Sequence, residues 1–221
     1  MLPGFIPCIP GRPPVNIEYI GGSTITWTAS ILSGTINFDL GREDPNRHIF
    51  VCFTSNMDSA PVSGTLEGED LIEEVNERDS GDNLSAIIYS VFKPTGTTGQ
   101  SLVITKNNIA SVSGRVDLFR GNYVTNPNAD FDSGTIDAPV DTLSWTGLNV
   151  PLGGAVIACA ASDGAGITVT WTGLTEYSDV TLGSCNMSVA ALNVPAGDAS
   201  FSASVEQLFA TGLVGAILAI G

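Results

Sequence analysis

From Ile17 onward, apolar runs rich in β-branched and aromatic residues alternate with clusters of Gly, Pro, Asn, Asp and Ser. That rhythm is the signature of a β-sandwich rather than of alternating strands and helices. It predicts strands near Ser23–Ile31, Thr35–Leu40, His48–Thr54, Glu69–Asn76, Asn83–Phe92 and Gln100–Thr105. Further strands are predicted near Gly114–Tyr123, Ala155–Ala161, Ile167–Trp171, Cys185–Leu192, Ala199–Val205 and Leu213–Ile220. In 84–92 both alternating sets are largely apolar, as in a central strand covered on two sides. Ser101–Lys106 and Phe201–Val205 alternate apolar with polar, as strands with one wet face do. The only helical alternative is 67–78, where Leu71, Ile72 and Val75 form a short stripe.

Residues 1–16 break the pattern. Their prolines lack N–H donors and fix φ, so they predict an extended arm rather than a sheet strand. Leu2, Phe5, Ile6 and Ile9 give this arm apolar side chains that suit docking on its own domain or on a neighbouring subunit. No apolar run follows a charged start, so a secretory signal is not expected. The apolar finish 212–221 is too short to span a bilayer as a helix and reads as a buried last strand. The expectation is therefore an all-β chain, a jelly-roll-like antiparallel β-sandwich over 17–221 behind a Pro-rich extended N-terminal arm.

Composition narrows the function classes. The 221 residues carry 8 Lys+Arg against 23 Asp+Glu, a net charge of −15 at pH 7. Binding to nucleic acid draws on Lys and Arg to release counterions from phosphates, so a nucleic-acid partner is not expected, and neither is a membrane. Cys8, Cys52, Cys159 and Cys185 are scattered without metal-ligand spacing and read mainly as buried free thiols. His48, the chain's one histidine, opens an apolar strand without a nucleophile elbow nearby. No catalytic or cofactor residues are assigned, and the chain is not expected to be an enzyme.

Two weaker signals remain. Asn128, Asp130 and Asp132 place oxygen side chains at alternate positions of a turn-rich stretch, a Ca²⁺ candidate that departs from the EF-hand pattern. The acids of 67–82 read as a solvated edge, with Ca²⁺ or a basic partner as the alternative. Trp145-Thr-Gly-Leu148 recurs at Trp171–Leu174, and Leu148-Asn-Val-Pro151 at Leu192–Pro195. The two separations disagree, which argues against a tandem repeat and for one turn chemistry reused at sheet corners. The two tryptophans are expected to cap the core; the alternative is a surface groove.

A resemblance adds a function. Gly41-Arg42 leading into Arg47-His-Ile-Phe-Val51, Ala86–Phe92 ending in Lys-Pro-Thr-Gly96 before Ser101–Ile104, and Thr170-Trp-Thr-Gly-Leu-Thr-Glu176 before a Gly/Ala-rich finish are its carriers. With these the chain resembles small virion proteins of tailed bacteriophages, especially those infecting Alphaproteobacteria. The resemblance implies a jelly-roll-like structural protein assembled in the host cytoplasm into the virion. Its expected place is the tail-tip, baseplate or fibre region, or, as the alternative, the capsid surface as a decoration protein. Other virion proteins and further copies of the chain, arranged by particle symmetry, are the implied partners. The reading from another class is a carbohydrate-binding module for host-surface glycans. Its candidate platform is Trp27, Tyr123, Trp145, Trp171 and Tyr177.

Overall fold

The computed structural model describes residues 13–28, 32–56, 62–106, 112–137, 142–164, 168–208 and 212–221. The assembly-arm residues Leu2, Phe5, Ile6 and Ile9 lie outside them, as does Cys8. Every regular element is a strand. The first half holds β1 (Asn16–Trp27), β2 (Ser33–Phe38), β3 (His48–Ser55), β4 (Val62–Leu66), β5 (Glu69–Asp70), β6 (Ile72–Asp79), β7 (Leu84–Phe92), β8 (Gln100–Lys106) and β9 (Val112–Asn122). The second holds β10 (Asp130–Asp137), β11 (Thr142–Val150), β12 (Gly154–Ser162), β13 (Thr170–Thr172), β14 (Thr175–Leu182), β15 (Cys185–Val194), β16 (Asp198–Glu206) and β17 (Gly212–Ile220).

All the pairings are antiparallel, and they build four sheets. The two inner sheets run β1-β9-β3-β7-β6 and β10-β17-β12-β15-β14, and the two outer ones run β2-β8-β4-β5 and β11-β16-β13. Three apolar cores separate the layers. One, built on Trp27, Phe53 and Leu102, lies between the first half's sheets. A second, with Phe50, Ile88, Ile157 and Leu218, joins the two inner sheets, and a third, with Trp145, Val156 and Phe201, fills the second half.

This layering explains the hydrophobic pattern. β12 and β17 are buried at every position because each lies in an inner sheet with a core on both faces, which is why they read as unbroken apolar runs. β7 is buried throughout except at Phe92 for the same reason. β8 and β11 sit in outer sheets and alternate. The 67–78 stretch is a turn at 67–68 followed by β5 and β6, not helix: Val75 turns inward while Glu73 stays exposed, a division that suits the edge of a sheet.

The expected single sandwich is in fact two, and they share one topology. Leave β5 aside and number the strands of each half 1 to 8. Both inner sheets then read 1-8-3-6-5 and both outer sheets 2-7-4. This is jelly-roll order with strand 5 transferred to the edge of the inner sheet. The short β5, paired with β4, keeps the beginning of that strand in the outer sheet of the first half only.

Register makes the correspondence residue-specific. Cys52 stands opposite Ile88 and Asp117, and Cys159 stands opposite Val189 and Ala216 at the same points of the second half. With these aligned, a β-bulge recurs in register: it separates Glu73/Tyr89 from Val75/Ile88, and Glu176/Ala190 from Ser178/Val189. Glu74 and Tyr177 are thus equivalent inserted residues. The halves also meet symmetrically. β6 lies against β10 through Asn128 Nδ2 to Glu74 (2.9 Å) and Ser133 Oγ to Glu77 (2.5 Å). At the opposite edge Tyr177 of β14 packs on Tyr19 of β1 and Phe119 of β9. Strand 5 of each half therefore rests on strand 1, or its neighbour, of the other, the arrangement of a two-fold interface within one chain.

The chain thus contains a duplication that the short sequence echoes do not mark, since both echoes fall inside the second half. The Trp-Thr-Gly-Leu echo shares a left-handed glycine, Gly147 and Gly173 taking φ of +79° and +84°, but only Gly173 lies at a strand connection; Gly147 sits at an irregularity inside β11. Trp145 and Trp171 flank β16 opposite Ala203 and Val205, and their indoles stack at 6.2 Å over that strand. The small Ala203 leaves room for them.

Candidate functional site

The candidate glycan platform of the alternative reading does not assemble, and Trp145 and Trp171 sit in a core as expected. Trp27, Trp145 and Trp171 are buried at 0%, 2% and 9% exposure. Trp27 packs on Phe53, while Trp171 donates its indole N–H to Ser188 Oγ at 2.8 Å. A tryptophan contributes most apolar surface to a core when inside it, and two of the three cores hold these rings. Tyr123 and Tyr177 are exposed, but Tyr177 is committed to the aromatic cluster with Tyr19 and Phe119. Beneath that cluster Tyr19 donates to the buried Asp117 (2.7 Å), which also pairs with Arg115 at 3.0 Å. Burial, and then the Asp117 carboxylate, raise the Tyr19 pKa. This network closes one edge of the contact between the halves.

The calcium candidates lie on or beside β10 rather than in a cation loop. Asn128 is bound to Glu74, Asp130 accepts the N–H groups of Phe131 and Asn149, and Asp132 accepts that of Ser133. These side chains serve the strand and its neighbours, and no cluster of three or more potential metal ligands occurs among the described residues. The acids of 67–82 are likewise tied into the fold. Glu69 pairs with Lys93 (2.7 Å), Glu74 accepts from Ser90, and Asp79 caps the turn at Gly81 and Asp82.

The three described cysteines are free and buried. Burial, and then the adjoining Cys159, push the Cys52 thiol well up, which makes it a poor nucleophile. His48 sits beside the Phe50 and Phe92 rings, and burial lowers its pKa, so it is a neutral wall residue.

What the sequence did not disclose is the device at Arg47. This arginine is fully buried and donates to six backbone carbonyls. Nε reaches Lys93 O at 2.5 Å; Nη1 reaches Leu40, Gly41 and Arg42; Nη2 reaches Thr95 O at 2.6 Å and Gly96 O at 2.7 Å. One planar fork with five N–H groups thereby clasps the 40–42 and 93–96 loops together. Burial and the nearby Arg120 lower its pKa, opposed by Glu43 and Asp44. The Gly41–Arg47 and Pro94-Thr-Gly96 stretches, far apart in sequence, are parts of this one clasp.

Beside the clasp opens a polar cleft of about 260 Å³, lined by Glu18, Arg42, Glu43, Asp44, Pro45, Arg120, Asn122 and Tyr123. Arg120 spans it, donating to Leu40 O at 3.1 Å and pairing with Glu18. Gly41 is required here: its φ is +69°, and a Cβ would stand 2.0 Å from an Arg120 nitrogen. Glu43 accepts the Gly96 N–H (2.9 Å) and Asp44 that of Asn46 (2.8 Å), so the wall is braced from behind. Arg120 Nε and Asn122 Oδ1 are shielded from water and have no hydrogen-bond partner among the described residues. Tyr123 holds φ at +62°, a strained value for a non-glycine residue.

The molecule is therefore an all-β protein of two antiparallel, jelly-roll-like sandwiches fused through their inner sheets, with a polar cleft beside the Arg47 clasp. No known protein-family model matches the chain, and no curated protein matches it.

Proposed function

We propose that the protein is an accessory structural component of a tailed-phage virion, placed in the tail-tip, baseplate or fibre region. The observation that carries this reading is the fusion of two jelly rolls through a core sealed on both sides. Such a block buries three apolar cores and offers outer sheets and edges to neighbours, and jelly rolls recur in viral capsid and lectin domains. The clasp adds support, because two of the stretches behind the phage resemblance are one structural unit around Arg47. The net charge of −15 suits an exposed particle protein that does not hold DNA. Capsid decoration uses the same properties on the head.

Cross-linking mass spectrometry on purified particles tests the proposal. Both lysines, Lys93 and Lys106, are buried, so carboxyl-reactive chemistry is required. The exposed Glu67, Glu69, Asp70 and Glu73 are the reactive handles. Links from them to a tail or baseplate protein are expected. Links to a capsid protein would move the molecule to the head, and its absence from every particle would overturn the virion role.

A further inference from the structure

We infer that the cleft beside the Arg47 clasp is a binding site for a neutral pyranose sugar. The inference goes beyond the structural role proposed above and does not depend on where in a particle the protein sits. It starts from the broken symmetry of the two halves. Strands 2 and 3 of the second half, β11 and β12, are joined by a tight turn at 151–153. The matching connection in the first half, between β2 and β3, runs over 39–47 and supplies Arg42, Glu43, Asp44 and Pro45 to the cleft. The duplicated scaffold needs only a short turn at this corner. The longer loop, braced by Arg47 and against Gly96, lines the cleft with four of its residues.

The lining defines the ligand. Two guanidinium groups, Arg42 and Arg120, stand among three carboxylates, Glu18, Glu43 and Asp44. An anion would face the carboxylates and a cation the guanidinium groups, whereas a neutral polyol finds donors and acceptors interleaved around it. Each sugar hydroxyl both donates and accepts, so it can answer an arginine and a carboxylate at once. Arg120 Nε and Asn122 Oδ1, shielded from water and without a hydrogen-bond partner among the described residues, belong to two of the lining side chains, and unpartnered buried groups of this kind call for a functional explanation. Tyr123 supplies the exposed ring on which the C–H face of a pyranose can lie, at 36% exposure and in a strained backbone conformation. The volume, about 260 Å³, falls just below the range of drug-sized pockets and suits a single sugar ring.

Saturation-transfer NMR on the full chain with glucose, galactose, mannose, N-acetylglucosamine and rhamnose tests this, with glucuronate and inorganic phosphate as anionic probes. Transfer to at least one neutral sugar is expected. Tyr123→Gly keeps the left-handed backbone accessible while removing the ring, and Asn122→Ala removes a lining amide. Each should weaken the sugar about tenfold, the scale of one lost contact, with thermal unfolding held at or above the wild-type temperature. No transfer to any neutral sugar, preference for glucuronate or phosphate, or binding unchanged in both variants would overturn the assignment.

Discussion

At the scale of single residues, Arg47 carries the largest burden for its size. Six carbonyls of two loops converge on one guanidinium. Lysine at this position keeps the charge but has three donors and no planar fork, so it can serve only some of the carbonyls. Arg47→Lys is therefore expected to lower stability by roughly 2–4 kcal/mol, as two or more buried acceptors lose their partners. Urea denaturation checks this through a lower midpoint at unchanged slope. A loss below about 1 kcal/mol would mean that the loops hold without the clasp. In the sequence Arg47 was visible only as part of a motif leading into a strand. Its role was hidden because its partners are main-chain oxygens, which no residue pattern encodes. The cleft was hidden for a related reason: Glu18, Arg42, Arg120 and Asn122 come from three separate segments, and only Tyr123 stood out as a candidate.

Among the elements, legibility followed burial. Strands covered on both faces, such as β7, β12 and β17, announced themselves as apolar runs, and outer strands such as β8 and β16 as alternation. The missed strands β10, β11 and β14 are edge strands, and β4 is a short outer-sheet strand; they carry Gly, Ser, Thr or Asp where turn residues are expected. For β10 the same oxygen side chains that suggested a cation loop instead bond to nearby backbone and to β6. The repeated Trp-Thr-Gly-Leu element permits a sharper test, because its glycines share a left-handed backbone but not an environment. A Cβ on Gly147 meets nothing within 4 Å, whereas one on Gly173 stands 2.7 Å from Ser202 O. Gly147→Ala should cost ~1–2 kcal/mol from backbone strain alone. Gly173→Ala should cost at least about 1 kcal/mol more, since backbone must move to admit the methyl group. Equal losses in parallel urea titrations would show that Ser202 yields freely.

The whole molecule behaves as a two-fold dimer written into one chain. Sequence comparison of the halves does not reveal this, because what recurs is strand order, register and a bulge rather than side chains: Phe50 corresponds to Ile157, and Phe119 to Leu218. The substitutions compensate across the shared core, where the large rings of the first half face the alanines and smaller aliphatics of the second. That complementarity has an energetic consequence. Separated halves would each expose an inner-sheet face that is fully covered in the intact chain, including Phe50, Ile88 and Phe119 on one side and Ile157, Val189 and Leu218 on the other. Exposed apolar surface on this scale drives association at roughly 25 cal/mol per Å² removed from water. Residues 13–124 and 125–221, produced alone, should therefore aggregate or self-associate. Co-expressed, they should form a soluble one-to-one complex, because each inner face is matched to the other rather than to itself. Size-exclusion chromatography with mass determination distinguishes the outcomes. Two independently folded monomers would show that the central core is a loose contact between finished domains, and the fused-dimer description would fail with it.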